Sequence, residues 1–291
     1  MTKGPKIPLR ITHDHDLAEG WELVLVTQGL SPSVCQTRDG VVLSVPSDEV
    51  ERAVAALSAY ESENPPELQE GDEPVRSANL VAGIAVAGAL LAFFFVTVTW
   101  KATVPWFERG SADAERIVLG ELWRTVTGLT LHIDLVHAVT NAIATALFLG
   151  AVSGMLGAGL GSVLVLLAGA GGNLANALLH GPLHVSVGAS TSVFGAVGML
   201  GGLGVARRRR RGERGRRAWV PIAAALAILA LLGTGGQRVD LWAHLFGFLL
   251  GGILGILITF IVPRPPGLGV QWALGSAALA VVITCWSLAL R

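Results

Sequence analysis

From Ala78 to Arg291 the chain is a succession of seven apolar runs, most of them about 20 residues long, separated by short stretches except for a long polar loop after the first. A bilayer hydrocarbon core is about 30 Å thick, and a helix rising about 1.5 Å per residue crosses it in about 20 residues. In lipid every backbone N–H and C=O must find its partner inside the protein, so runs of this length fold as helices. The runs are expected at Ala78–Trp100, Leu131–Ala151, Leu156–Leu179, Ala189–Val205, Trp219–Leu232 (extendable to Gly236), Val239–Val262 and Val270–Leu290. The pattern excludes a water-soluble fold for this part of the chain.

Only 14% of the residues are charged, against about 25% in soluble domains, and the shortfall lies beyond residue 77. The first part of the chain is ordinary in composition. "LAEGWELVLVTQGL" has helical periodicity, with Leu17, Trp21, Val24 and Leu25 on one side. "SVCQTRDGVVLSV" reads as two short strands around Asp39-Gly40, a hairpin signal. "SDEVERAVAALSAYESENPP" begins with a serine cap and stops before its prolines. This α-β-β-α order resembles the small cytosolic signal-transduction modules at the N-termini of some bacterial membrane proteins, whose partner here is unknown. The expected plan is a small α+β domain at 1–62, an acidic, proline-containing linker at 63–77, a membrane core at 78–262 and a linker with a seventh helix at 263–291. "MTKGPKIPLRITHDHD" has no apolar core, so no cleavable leader is expected. Cys35 and Cys285 lie in different domains and give neither a disulfide framework nor a metal spacing.

Orientation follows from "RRRRRGERGRR", Arg207 to Arg217, in the short loop after the fourth run. Short basic loops stay in the cytoplasm. The N-terminal domain and "PRPP" are then inside, and the long loop after the first run is outside. The arginines read as a topology anchor with access to anionic lipid; no nucleic-acid partner is expected of them. In that long loop Trp106, Phe107 and Trp123 suit the headgroup region.

Ionisable residues within membrane helices are costly and are functional candidates by default. The second run carries His132, Asp134, His137 and Asn141; the third Asn173 and Asn176; the fourth begins at Ser190; the sixth carries Asp240 and His244. The second, fourth and sixth runs all enter from the outside, so His137, Asn141, Ser190 and His244 fall within roughly 15 Å of the outer surface. His244, Gly247, Gly251 and Gly255 share one helical face, and Ser190, Phe194, Gly198 and Gly201 share another, with Gly195 and Gly202 beside it. Small residues let helices approach closely in lipid. If these faces meet, Ser190 and His244 come together, and a serine in hydrogen-bonding reach of a histidine is an activated nucleophile. His137 and Asn141, four apart, form a donor pair that with the Ser190 backbone N–H would make an oxyanion hole. Asp240, one turn before His244, reads as a helix-start residue. A serine or histidine on a membrane helix also serves plain packing or interhelical bonding, and each residue alone carries that reading. His132, His137 and His244 lack a supporting carboxylate or thiol cluster, so no metal site is expected. The polar residues lie mainly in the outer half, which argues against a solute channel.

Taken together, these residues resemble the rhomboid family of intramembrane serine proteases over about residues 78–262. "LWRT" carries the family's Trp-Arg pair as Trp123 and Arg124; "LHIDLVHAVTN" carries its His-x-x-x-Asn motif as His137 and Asn141, preceded by His132; "GASTSVFG" matches the Gly-x-Ser-Gly nucleophile motif with Gly188 and Ser190; "WAHLFGFLLGG" matches Ala-His-x-x-Gly with His244. The resemblance implies an all-α polytopic membrane fold, six core helices plus a seventh that the family also carries. It implies a cofactor-free Ser190–His244 dyad that cleaves transmembrane segments of other proteins near the outer face of a bacterial inner membrane, with a small residue at the cut and a helix-weakening residue nearby. One position departs: Thr191 stands where the motif has glycine, and a side chain there could crowd the oxyanion hole. The competing reading is an inactive relative that binds membrane clients, and Thr191 is the residue favouring it.

Overall fold

The computed structural model describes residues 5–12, 15–37, 40–63, 80–210, 212, 215–233 and 240–291. The chain divides into two compact units, Met1–Pro74 and Val75–Arg291. The expected linker at 63–77, the Asp39 half of the hairpin signal and the junction at 234–239 between the fifth and sixth runs lie outside the described residues, apart from Glu63.

The first unit runs β1 (Lys6–Thr12), α1 (His15–Thr27), β2 (Ser33–Thr37), β3 (Gly40–Pro46), α2 (Val50–Glu63). Its sheet order is β1-β3-β2, all antiparallel. The opening strand corrects the expected α-β-β-α order to β-α-β-β-α. "KIPLRIT" alternates Ile7, Leu9 and Ile11 with Lys6, Pro8, Arg10 and Thr12, but the proline at its centre counts against a strand. Proline is tolerated at a sheet edge, where its missing N–H is no loss, and the register slips between Pro8 and Arg10. Arg10 then pairs with Glu61 at 3.1 Å, clasping the edge strand to α2. Trp21 and Leu25 of α1, Leu43 and Val45 of β3, and Ala53 and Leu57 of α2 form the core.

The second unit is helical apart from one two-stranded contact. α3 (Leu80–Thr99) is followed by a long loop, which contains α4 (Trp106–Gly110), β4 (Ala112–Asp113), α5 (Ala114–Val118) and α6 (Arg124–Thr127). Then come α7 (Leu135–Leu156), α8 (Ala158–His180), β5 (Val185–Ser186), α9 (Ser190–Arg210), α10 (Val220–Gly233), α11 (Leu241–Ile261) and α12 (Leu268–Ala289). The seven apolar runs are these helices from α3 through α12, without the loop helices. Among the described residues five of them, α3, α7, α8, α11 and α12, are long and apolar enough to cross a membrane. The other two differ for separate reasons. α10 has only 14 described residues. α9 is glycine-rich and lies between α7, α8, α10 and α11, so it presents little surface that lipid-facing leucine would have to cover.

Two polar clamps organise the bundle. Arg124, only 2% exposed, sends Nη1 to the carbonyls of Glu108 (3.0 Å) and Ser111 (3.1 Å), and its Nε donates to Glu121. It thereby supplies a donor to the Glu108 carbonyl in α4 and a second one to Ser111 O, which also accepts from the Asp113 N–H at 2.8 Å. Elsewhere in the bundle, α7 ends at Gly157 (φ 88°) and α8 begins at once. Gln271 of α12 reaches into this turn. Its Nε2 donates to Leu156 O at 2.9 Å and its Oε1 accepts from the Leu160 N–H at 3.0 Å. One amide thus serves the end of one helix and the start of the next. The opposite end of α12 is held by Trp286, whose Nε1 donates to Thr130 Oγ1 at 3.0 Å and whose ring packs between Phe93 and Trp106. Trp106 and Trp123 pack beside the end of α12, while Phe107 is 40% exposed.

Candidate active site

α9 and α11 approach as closely as backbones can. A side chain added at Gly247 would run into the Thr191 carbonyl, at Gly251 into Gly195, at Gly255 into Met199, and from the other side at Gly198 into Phe248 and at Gly202 into Gly252. Absence of Cβ atoms at five successive levels is what allows the contact. The glycine faces read from the sequence therefore meet, with one difference: Gly201 faces Ile222 and Ala225 of α10. It sits three residues on from Gly198, far enough around the helix to look at a different neighbour.

At the upper end of this seam Ser190 Oγ and His244 Nε2 are 2.8 Å apart. Ser190 is the first residue of α9, and His244 lies one turn into α11, its backbone N–H bonded to Asp240 O at 3.1 Å. The imidazole rests on Phe194, with ring centroids 4.5 Å apart. Phe194 is one turn beyond Ser190, so the same helix that presents the hydroxyl also supports the ring facing it. With Nε2 unprotonated, the serine hydroxyl donates to it.

The approach to Ser190 is fixed by Gly188, whose φ of 120° is a conformation that side chains rarely adopt. A Cβ there would lie 2.6 Å from His137 Nε2 and 3.7 Å from Asn141 Nδ2. His137 and Asn141 are thus packed against the backbone two residues before Ser190. Asp134 caps α7 through the His137 N–H at 2.8 Å, and Asn141 Nδ2 donates to His137 O at 3.0 Å. His132, 1% exposed, accepts from the Ala189 N–H at 3.4 Å and stands edge-on to His137. It sits in the loop before α7. Burial, with His137 nearby, pulls its pKa down to about 4 against an opposing bond to the Thr130 backbone. It is therefore a neutral acceptor at ordinary pH.

Trp123 and Arg124 serve the long loop between α3 and α7, through the clamp and the aromatic cluster already described. Thr191 is 2% exposed, and its methyl lies against Gly172 of α8 and Gly247 of α11. Glycine at both positions makes the room, and the side chain is seated inside the helix junction. Among the described residues no group of three or more His, Cys, Asp or Glu could hold a metal ion.

One element was not legible in the pattern. Asp240 caps α11, accepting from the Ala243 N–H at 3.1 Å, and its other oxygen is 2.8 Å from His184 Nε2 and 2.6 Å from Asn176 Nδ2. The helix-start reading of Asp240 describes half of what it does. His184, in the loop before Ser190, has no helical spacing to mark it.

Residues 119–260 match the family model for the rhomboid domain. The chain is 30% identical over 187 residues to YdcA of Bacillus subtilis (strain 168), a protein carrying the rhomboid-protease name; the match takes in 62% of this chain and 88% of that one. It is 32% identical over 146 residues to rhomboid-like protease 3 of Toxoplasma gondii, covering 49% of this chain and 54% of the relative. It is 35% identical over 91 residues to the rhomboid protease GluP of Bacillus subtilis, 31% of this chain and 18% of GluP. The chain belongs to the rhomboid family and is a multi-pass membrane protein.

Proposed function

We propose that this protein is an intramembrane serine endopeptidase that cuts transmembrane segments of other proteins with a Ser190–His244 dyad. The observation that carries the reading is the 2.8 Å bond between Ser190 Oγ and His244 Nε2 across the α9–α11 seam. His244 takes the hydroxyl proton as Ser190 attacks the scissile carbonyl, then returns it to the leaving amine; water afterwards releases the acyl group from Ser190. The Ser190 backbone N–H, at a helix N-terminus, and the side chains of His137 and Asn141 hold the oxyanion. His132 orients the segment from its Ala189 side. No metal or cofactor takes part.

The bound segment must unwind locally, because a regular helix hides its carbonyls in its own hydrogen bonds. A small residue at the cut and a helix-weakening residue beside it suit that requirement. The basic end of α9 supports a cytoplasmic placement of that end, hence an N-terminal domain inside and a dyad toward the outer face of a bacterial inner membrane.

The test is labelling of the purified, detergent-solubilised protein with a fluorophosphonate serine probe, comparing wild type, Ser190→Ala and His244→Ala. Labelling that both substitutions abolish supports the hydrolase. A folded wild type that stays unlabelled beside a labelled active rhomboid favours the client-binding alternative.

A further inference from the structure

The loop 181–189 delivers Ser190, and α11 delivers His244. Below the dyad the two are joined by the glycine seam. Above it they are joined by one carboxylate. Asp240 uses Oδ1 to cap α11 and Oδ2 to receive both His184 Nε2 (2.8 Å) and Asn176 Nδ2 (2.6 Å). Three elements therefore meet on one side chain: the end of α8, the loop before the serine, and the first turn of the helix that holds the histidine. His184 is six residues before Ser190, and Asp240 is one turn before His244.

The surroundings are arranged for that contact. His180 stacks on His184, with centroids 4.3 Å apart and rings 17° from parallel, and its Nδ1 is 3.1 Å from Asn176 O. Trp242 stands edge-on to His180 at 6.3 Å. Leu183, next to His184, has a φ of 77° and is 95% exposed. A leucine in this left-handed conformation is strained, so something must hold the turn, and its own side chain touches little. The rest of the loop is pinned to the long loop after α3: β5 pairs with β4, and the Gly188 N–H donates to Gly128 O at 2.9 Å. Those bonds fix the loop to the α3–α7 connection but not to α11. His184 and Asp240 supply that second tie.

We infer that His184 and Asp240 form a polar latch that sets the separation of Ser190 from His244, which makes both positioning residues for the reaction proposed above. The inference rests on the hydrolase reading for its kinetic consequence, while the latch itself is a matter of geometry. A group held one ångström out of place costs up to about a hundredfold in rate, so loosening the latch slows serine attack without removing either dyad member.

Two measurements on the full chain test it. The first is the rate of fluorophosphonate labelling of Ser190 in His184→Phe, which keeps a ring for His180 to stack on, and in His184→Gln, which keeps a donor. The expected result is a slowing of about tenfold in His184→Phe and near-complete recovery in His184→Gln. Adding Asp240→Asn to His184→Phe should bring little further loss, because the two act as one unit. Equal rates in wild type and His184→Phe, or equal slowing in His184→Phe and His184→Gln, would overturn it. The second is a spin-label distance between Leu183→Cys and Leu249→Cys, with Cys35 and Cys285 replaced by serine. It should be narrow with His184 or His184→Gln and broad with His184→Phe; a distribution that does not respond sinks the latch. A wild type that never labels defeats the hydrolase reading, and the distance still decides the latch.

Discussion

Thr191 and Gly172 divide one space between them: a Cβ on Gly172 would come 2.6 Å from the Thr191 methyl carbon. The residue that departs from the rhomboid motif is matched on the facing helix by a residue with no side chain. Gly172→Ala is expected to overpack the α8–α9–α11 junction by about 1–3 kcal/mol and to lower the unfolding temperature. Thr191→Gly in the same chain should restore part of the loss, since it removes one of the two groups the new methyl meets; the Gly247 backbone N, at 2.9 Å, remains. Thermal unfolding of the two single variants and the double variant checks this, and strict additivity would contradict it.

The seam below the dyad gives a sharper case. Gly251→Ala would set a methyl against the Gly195 carbonyl, a backbone atom with no rotamer to yield. The expected cost is about 2 kcal/mol or more, together with loss of probe labelling as α9 and α11 separate. Gly88→Ala is the control, because nothing lies within 4 Å of that position; it should label and unfold like wild type.

Arg124 is predicted to matter for the fold and not for the chemistry. Arg124→Leu would take the side-chain donors from the carbonyls of Glu108 and Ser111 and leave Glu121 with only the longer 3.7 Å pair to Arg116, at a cost of about 3 kcal/mol. Lysine should rescue poorly, because a single ammonium does not reproduce the guanidinium fork that serves three acceptors at once. The check is the unfolding temperature together with the labelling rate per folded molecule; the first should fall and the second should hold.

Acid sensitivity follows from His132. Its folded pKa is depressed to about 4 from an ordinary 6.5, so below pH 6.5 the unfolded chain binds the extra proton and the folded chain does not. The contribution is full above about 6.5 and is lost as pH falls toward 4, on the order of 3 kcal/mol in all. Asp240 acts in a lower window. Burial alone would raise its carboxyl, but the Ala243 N–H, His184 and Asn176 together hold it below its ordinary 3.8. Its contribution is present above that value and is lost as pH drops below it. Unfolding temperature followed from pH 8 to pH 4 should fall through the first window in wild type and fall less in His132→Asn.

Much of this was legible because membrane helices write their partners in small residues. The faces of Gly247, Gly251 and Gly255 and of Gly195 and Gly198 could be paired from spacing, and the pairing carried Ser190 to His244. What stayed hidden has a common character. Lys6–Thr12 forms an edge strand whose central Pro8 argues against a strand although its residues alternate. Gln271 reads as one polar residue on an apolar helix, and only the tertiary arrangement brings it to the α7–α8 turn. His184 sits in a loop, where no period exists to be read. Thr191 looked like an intrusion because the glycine that receives it is 19 positions earlier, on another helix.

The Gln271 amide also bears on how the chain is assembled. α12 follows the other six apolar helices in the chain, so during synthesis those helices must insert and pack while the Leu156 carbonyl and the Leu160 N–H still await their partner. Such groups are costly to leave open away from water, and a nascent bundle in that condition is a natural client for holding factors or a target for quality-control proteolysis. Arrival of α12 answers both groups with one side chain, so a chain released before residue 271 should be cleared from the membrane even though both helices that carry the dyad have already been translated.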